Sequence, residues 1–254
     1  MTKTYLIDLD GTMYRGTDII EGAKEFIEYL LKTSQEFVFF TNNSSRTPKQ
    51  AKEHMEAIGF TGIEEKHFFT SAMASAKYIR RRYAGTKAYM IGQLGLKEAL
   101  ECEGFSIVED EPADFVFIGL DKMATYETYS KAIRQLVNGA ILVGTNNDRI
   151  LLQENGANVG NGSVVAMFEY AIGKESIKIG KPHRVMIDTY LEWANKSIDD
   201  CVIIGDNLET DIACGNRVGM ETILVESGIH TQEDCGKMNI YPSKCIKSLF
   251  KLME

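Results

Sequence analysis

Apolar runs alternate with amphipathic stretches along the whole chain. Tyr5-Leu6-Ile7-Asp8-Leu9 is a short apolar run ending at acidic residues and Gly11, which predicts a buried strand with carboxylates at its C-terminal end. Ala23, Phe26, Ile27, Leu30 and Leu31 then recur at helical spacing, the stripe of an amphipathic helix. Phe37-Val38-Phe39-Phe40 predicts a second buried strand, which ends at Thr41-Asn42-Asn43. In Thr47-Pro48-Lys49-Gln50, Thr47 suits an N-cap, Pro48 the first helical position and Gln50 a capping box. Ala51, Met55 and Ile58 give that helix its apolar stripe. Strand, helix, strand, helix is the order of a parallel sheet.

The middle of the chain repeats the alternation. Strands are expected at Ala88–Ile91, Phe115–Ile118 and Ala140–Val143, and Tyr129, Ala132, Ile133, Leu136 and Val137 mark a helix between them. A further apolar segment, Val164 to Ile172, precedes Gly173. Beyond Lys181 the pattern predicts a helix opened by Pro182, a strand at Cys201–Ile204, a helix from Asp211 and a strand at Thr222–Val225. No low-complexity linker marks a boundary. A chain of 254 residues buries about three quarters of its unfolded surface, so it needs no staples.

Charge and cysteine usage narrow the partners. With 28 Lys+Arg against 36 Asp+Glu, the net charge is −8. That argues against bulk nucleic-acid binding, and a phosphate site must carry its own local cations. No apolar run approaches a membrane span, and Tyr5-Leu6-Ile7 runs straight into Asp8, unlike a signal peptide. The expectation is a cytoplasmic protein without membrane partners. Five cysteines without C-x-x-C fit thiols rather than bridges, with Cys201 and Cys214 buried. His54, His67, His183 and His230 are too scattered for a zinc site. Arg80-Arg81-Arg82 suits a solvated helix end, and Gly160-Asn161-Gly162 lacks the third small residue of a dinucleotide fingerprint.

Four separated elements put polar groups just after an apolar strand or at a helix start. They are Asp8-Leu9-Asp10-Gly11-Thr12, Thr41-Asn42, Lys181-Pro182 and Gly205-Asp206-Asn207-Leu208-Glu209-Thr210-Asp211. In an open α/β sheet, ligands bind beyond the carboxyl ends of the strands, so these elements would converge there. Together they supply clustered carboxylates, a hydroxyl, an amide and one ammonium, which suits a hard cation plus a phosphate. Each alone has a plainer reading: D-x-D-G and Thr41-Asn42 as turns, Lys181 as a solvated lysine, Gly205 to Asp211 as a helix cap. Their joint occurrence in this order is what carries the argument.

The four elements resemble the sequence motifs of the haloacid dehalogenase-like hydrolases. The finer resemblance is to the NagD-like, or 4-nitrophenylphosphatase-like, phosphatases. Asp8 to Gly16, Phe40-Thr41-Asn42-Asn43-Ser44, Gly119-Leu120-Asp121, Thr145-Asn146-x-Asp148 and Gly180-Lys181-Pro182 carry it over nearly the whole chain. Asn147 and Asn161 depart from it, standing where the family often has a proline and a small residue.

The resemblance implies a three-layer Rossmann-like α/β core from residues 1–77 and 180–254, with an inserted α/β cap domain at 78–179. It implies Mg²⁺-dependent hydrolysis of a small phosphomonoester through an aspartyl-phosphate. Asp8 would be the nucleophile, and Asp10 the general acid and base. The metal would be held by Asp8, the Asp10 carbonyl and Asp206, with Asp211 in support. Thr41, Asn42 and Lys181 would bind the phosphate. Asn146, Asp148 and Arg149, on the turn after a cap strand, are the candidates for specificity. A cap tethered between Asn42 and Lys181 would favour small phosphorylated metabolites over polymers, and the family also admits a homodimer. A phosphotransferase or mutase using the same aspartyl-phosphate is the alternative enzyme. A sugar-phosphate-binding protein is the non-catalytic one, disfavoured because a pure binder has no use for a nucleophile and an acid.

Overall fold

The protein is described by a computed structural model covering residues 3–153 and 156–253. The chain forms two compact units. The first comprises residues 1–41, 48–69 and 181–254, and the second residues 42–47 and 70–180. The boundary expected at residue 77 falls inside the helix Ser71–Arg82, all of which belongs to the second unit.

A six-stranded sheet organises the first unit. Its order is Lys244–Ile246, Glu221–Val225, Cys201–Gly205, Thr4–Ile7, Phe37–Thr41, Phe68–Thr70. From Thr4–Ile7 the chain moves outward one way to Phe37–Thr41, then later the other way from Cys201–Gly205 to Lys244–Ile246. The pairings along this path are parallel. Strand order therefore reverses between Thr4–Ile7 and Cys201–Gly205, where an open parallel sheet leaves a crevice at its carboxyl end.

Side-chain alternation shows the layers. Ile223 and Val225 pack with Phe26, Ile27 and Leu30 of the helix Ala23–Lys32 and with Met55 of Pro48–Ala57. Leu224, between them, packs instead with Leu208, Ile212 and Cys235. Phe39 likewise faces the first set, while Phe40 meets Phe69 and Tyr190 at ring separations of 5.8 and 5.9 Å. A period of two puts successive residues on opposite faces. The sheet is thus covered on both sides, as continuous apolar strands require.

The second unit holds a five-stranded parallel sheet of its own, in the order Ile177–Lys178, Ile141–Gly144, Phe115–Ile118, Lys87–Ile91, Ser106–Ile107. Val116, Ile118 and Leu142 of this sheet pack with Ala132 and Leu136 of Tyr126–Val137 and with Val165 and Phe168 of Asn161–Ile172. Glycine at 173, at φ 64°, ends that last helix in the left-handed conformation. The whole is a parallel-sheet α/β fold.

The first strand stops at Ile7, and Asp8 lies just past its end, where the motif is expected to follow the apolar run. Two local expectations need correction. Pro182 does not open a helix: the Lys181-Pro182 bond is cis and the helix runs from Arg184 to Ala194. The α-helix expected from Asp211 begins at Ala213, because Leu208–Ile212 forms a wider, π-type turn closed by an Ile212 N–H to Asn207 carbonyl bond of 3.3 Å.

Candidate active site

Asp8 and Asp206 follow neighbouring parallel strands at the point where strand order reverses. The Asp8 N–H donates to the Ile204 carbonyl at 2.9 Å, which locks the end of the first strand to the strand leading to Asp206. Thr41 ends the strand on the other side of Thr4–Ile7 and is buried. Lys181 is 2 % exposed and reaches three acceptors: Asp8 Oδ1 at 2.6 Å, Asp211 Oδ1 at 2.7 Å and the Phe40 carbonyl at 2.8 Å. An ammonium has three hydrogens, so these protein groups use all of them. The Phe40 carbonyl was not foreseen, since a main-chain acceptor leaves no mark in the sequence.

Asp211 is seated by the wide turn. Its Oδ2 accepts from the Asn207 N–H at 3.2 Å, and it lies so close over Gly205 that a Cβ there would meet its Cγ at 2.2 Å. Asp206 is similarly enclosed. It accepts from the Ile229 N–H at 2.8 Å and from the Thr12 hydroxyl at 3.4 Å. A Cβ at Gly11 or Gly228 would fall 2.3 or 1.7 Å from its Oδ2. Gly11, at φ 91°, also provides the turn that carries the chain past Asp8. Asp10 follows that strand end as an exposed residue.

The electrostatics of this group are unbalanced. Asp8, Asp206 and Asp211 each offer a carboxylate oxygen within 4.8 Å of the others. One Lys181 ammonium against these three carboxylates leaves two negative charges over. Burial pushes the Asp8 carboxyl well above its usual range, with Lys181 opposing and the other two aspartates adding to the rise. Burial and Asp211 likewise raise Asp206 to about 6. Lys181 is raised by Asp211 and Asp8 against the effect of its burial. Hard oxygen donors and a local deficit of two positive charges fit a divalent cation such as Mg²⁺.

Asn42 belongs to the second unit, one peptide bond after Thr41. Its amide nitrogen donates to Asp148 Oδ1 at 3.0 Å, and its carbonyl accepts from Asn146 Nδ2 at 2.8 Å and Ser71 Oγ at 2.7 Å. Two of the three specificity candidates thus gather on Asn42. The third, Arg149, is exposed. Asp8, Thr41, Lys181, Asp206 and Asp211 lie together in the first unit's neighbourhood of strand ends, and Asn42, Asn146 and Asp148 form a separate group in the second.

Residues 5–106 match the haloacid dehalogenase-like hydrolase family, and residues 178–252 match a second family described as HAD-hydrolase-like. An acid sugar phosphatase of Staphylococcus aureus is 40% identical over 247 residues, covering 97% of this chain and 95% of its own. The chain belongs to the haloacid dehalogenase-like hydrolases. Among solved structures of this family, NagD from E. coli is 32% identical with a TM-score of 0.89, covering 98% of each chain. A 4-nitrophenylphosphatase from Thermotoga maritima is 30% identical with a TM-score of 0.91, covering 99% of this chain and 96% of that one. The protein is a phosphatase of the haloacid dehalogenase type.

Proposed function

We propose that the protein hydrolyses small phosphomonoesters, with Asp8 as nucleophile and Mg²⁺ as cofactor. The observation that carries this reading is the buried group of Asp8, Asp206, Asp211 and Lys181 at the strand-order reversal. Asp8, Asp206 and the Asp10 carbonyl would hold the cation, with Asp211 in support. Mg²⁺ bound there would offset the repulsion between a carboxylate and a phosphate dianion and stabilise charge in the transition state.

The chain's own residues do the rest. Lys181 holds one Asp8 oxygen, which orients the other for attack on phosphorus. Asp8 displaces the alcohol to give an aspartyl-phosphate. Asp10, exposed where Asp8 is buried, would protonate the leaving oxygen and then take a proton from the water that cleaves the intermediate. Thr41 and Asn42 would hold the phosphoryl oxygens. Lys181 would act on phosphate mainly through Asp8, because its hydrogens are already engaged.

The second unit would serve as the cap domain of this family. The substrates are small phosphorylated metabolites, by analogy with the acid sugar phosphatase and nitrophenylphosphatase relatives. A cytoplasmic setting is supported by five cysteines that are all thiols, and no helix among the described residues is long and apolar enough to cross a membrane.

The test is phosphate release from a panel of phosphorylated metabolites with Mg²⁺, beside the same assay on Asp8→Asn. That variant keeps the volume and removes the nucleophile, so turnover falls by about 10³-fold or more while circular dichroism is unchanged. Near-normal turnover in Asp8→Asn would rule out the covalent route.

A further inference from the structure

The second unit contains a buried amide that none of the motifs required. Asn161, the first residue of the helix Asn161–Ile172, is 1% exposed. Its Nδ2 donates toward the Ile118 carbonyl at 3.1 Å, Thr145 Oγ1 at 3.2 Å and the Asn146 carbonyl at 3.3 Å. Ile118 ends one strand and Thr145 follows the end of its neighbour. One amide group therefore ties two strand ends to the turn that begins at Thr145. The Asn161 Oδ1 meets no donor among the described residues. A buried carbonyl without a donor costs stability, so what Asn161 contributes lies in what its nitrogen holds.

The connection continues beyond that turn. Asn146 donates to the Asn42 carbonyl, and Asn42 donates to Asp148 Oδ1. The helix start clamps the same turn from its other side: Gly162 N–H donates to the Asp148 carbonyl at 2.9 Å and Gly160 N–H to the Arg149 carbonyl at 3.0 Å. There is no slack in this clamp, since a Cβ at Gly160 would lie 2.1 Å from the Asp148 carbonyl oxygen and one at Gly162 2.5 Å from that of Asn147. Asn42 sits between two fixed points, its carbonyl held through Asn146 and its amide through Asp148.

We infer that Asn161 is a positioning residue for leaving-group selectivity, acting through Asn146 to fix Asn42 and to set the Asp148 carboxylate beside it. Asp148 is half-buried, with one oxygen on the Asn42 amide. A carboxylate accepts hydrogens from hydroxyl groups and repels other carboxylates. The favoured substrate class is a phosphomonoester whose alcohol carries further hydroxyls, over one whose alcohol carries an acid. The inference rests on the assignment of Asn42 to the phosphate, made with the proposed function.

The experiment measures kcat and KM with Mg²⁺ for a hexose 6-phosphate, 3-phosphoglycerate and 4-nitrophenyl phosphate. Wild type, Asn161→Ala, Asn146→Ala and the double variant are compared. Losing one link in the chain raises KM for the hexose phosphate about tenfold. All three esters share the loss of a fixed Asn42, so KM for the flat 4-nitrophenyl ester, which offers Asp148 no hydroxyl, rises by about threefold, well short of the hexose phosphate. The hexose-over-glycerate preference falls with the first of these. The double variant is no worse than the poorer single one, because both cut one chain of contacts. An equal loss on all three esters, no change on any, or additive losses would overturn the positioning role. If Asn161→Ala does not fold, Asn146→Ala alone, which cuts the same chain of contacts, is held to the same criteria. A wild type that releases phosphate from none of the esters overturns the substrate reading and this inference with it. A wild type active on all three, with ratios unchanged in the variants, overturns this inference alone.

Discussion

Lys181 and Asp206 sit in one small volume and meet opposite fates. Lys181 finds two carboxylates and a carbonyl, and stays charged although it is buried. Asp206 finds a main-chain N–H and a distant hydroxyl but is buried and lies in the field of Asp211, so its carboxyl is raised to about 6. A group whose folded value exceeds its ordinary 3.8 binds more protons in the folded chain than in the unfolded one between those two values. Stability therefore falls as pH rises through that window and stays low above it, by about 3 kcal/mol from Asp206. In chelator, Asp206→Asn should be more stable than wild type at pH 7.5, and the advantage should shrink toward pH 4. Added Mg²⁺ should reverse the ranking at pH 7.5, since only the wild type offers that carboxylate. Urea unfolding of both proteins at the two pH values, with and without Mg²⁺, is the measurement. A wild type that outlasts Asp206→Asn in chelator at pH 7.5 would mean that the carboxylate is compensated without a metal.

At the scale of elements, the turn after the first strand carries the most constraint. Gly11 combines φ 91° with a Cβ position 2.3 Å from Asp206 Oδ2. Gly139 has φ 108° but open space around its Cβ position. Both alanine variants bear the left-handed strain of about 1–2 kcal/mol, but only Gly11→Ala also displaces a carboxylate. Gly11→Ala should therefore need about tenfold or more Mg²⁺ for half-maximal activity, while Gly139→Ala loses stability alone. Equal Mg²⁺ requirements in the two variants would detach the Gly11 turn from Asp206. What could be foreseen from the sequence follows the same physics. Phe37-Val38-Phe39-Phe40 is legible because a strand covered on both faces must be apolar throughout, and Phe115–Ile118 for the same reason. The helix Ser71–Arg82 is buried through Ala72, Ala74, Ser75 and Ala76, small residues that make no visible stripe. The hairpin of Tyr14–Arg15 with Asp18–Ile19 is two residues per strand, too short for a period. Asp8, Lys181 and Asp206 stand out because each follows an apolar run or opens a new element. The amide bonds of Asn161 and Asn146 do not, because their acceptors, mostly main-chain carbonyls, lie far away in sequence.

For the whole molecule, the division of labour between the two units has a thermodynamic signature. Each unit has its own parallel sheet and its own packed apolar core. Asp8, Asp206 and Asp211 all belong to the first. A ligand that binds only folded protein stabilises what it binds by RT ln(1 + [L]/Kd), about 2.7 kcal/mol at a hundredfold excess over Kd. Mg²⁺ should give that increment to the first unit and little to the second. The single tryptophan, Trp193, reports on the first unit alone, stacked on Phe69 at 5.5 Å. Thermal unfolding followed by its fluorescence should shift upward with Mg²⁺ by several degrees, on the scale of about 2–4 °C per kcal/mol. Far-UV circular dichroism sees both units, so in Mg²⁺ it should split into a step that does not move and a step that follows the fluorescence. In chelator the two signals should lie closer together. A single transition that moves as one in both signals would mean that the units unfold as a single cooperative body, with the binding energy of the cation shared across both sheets.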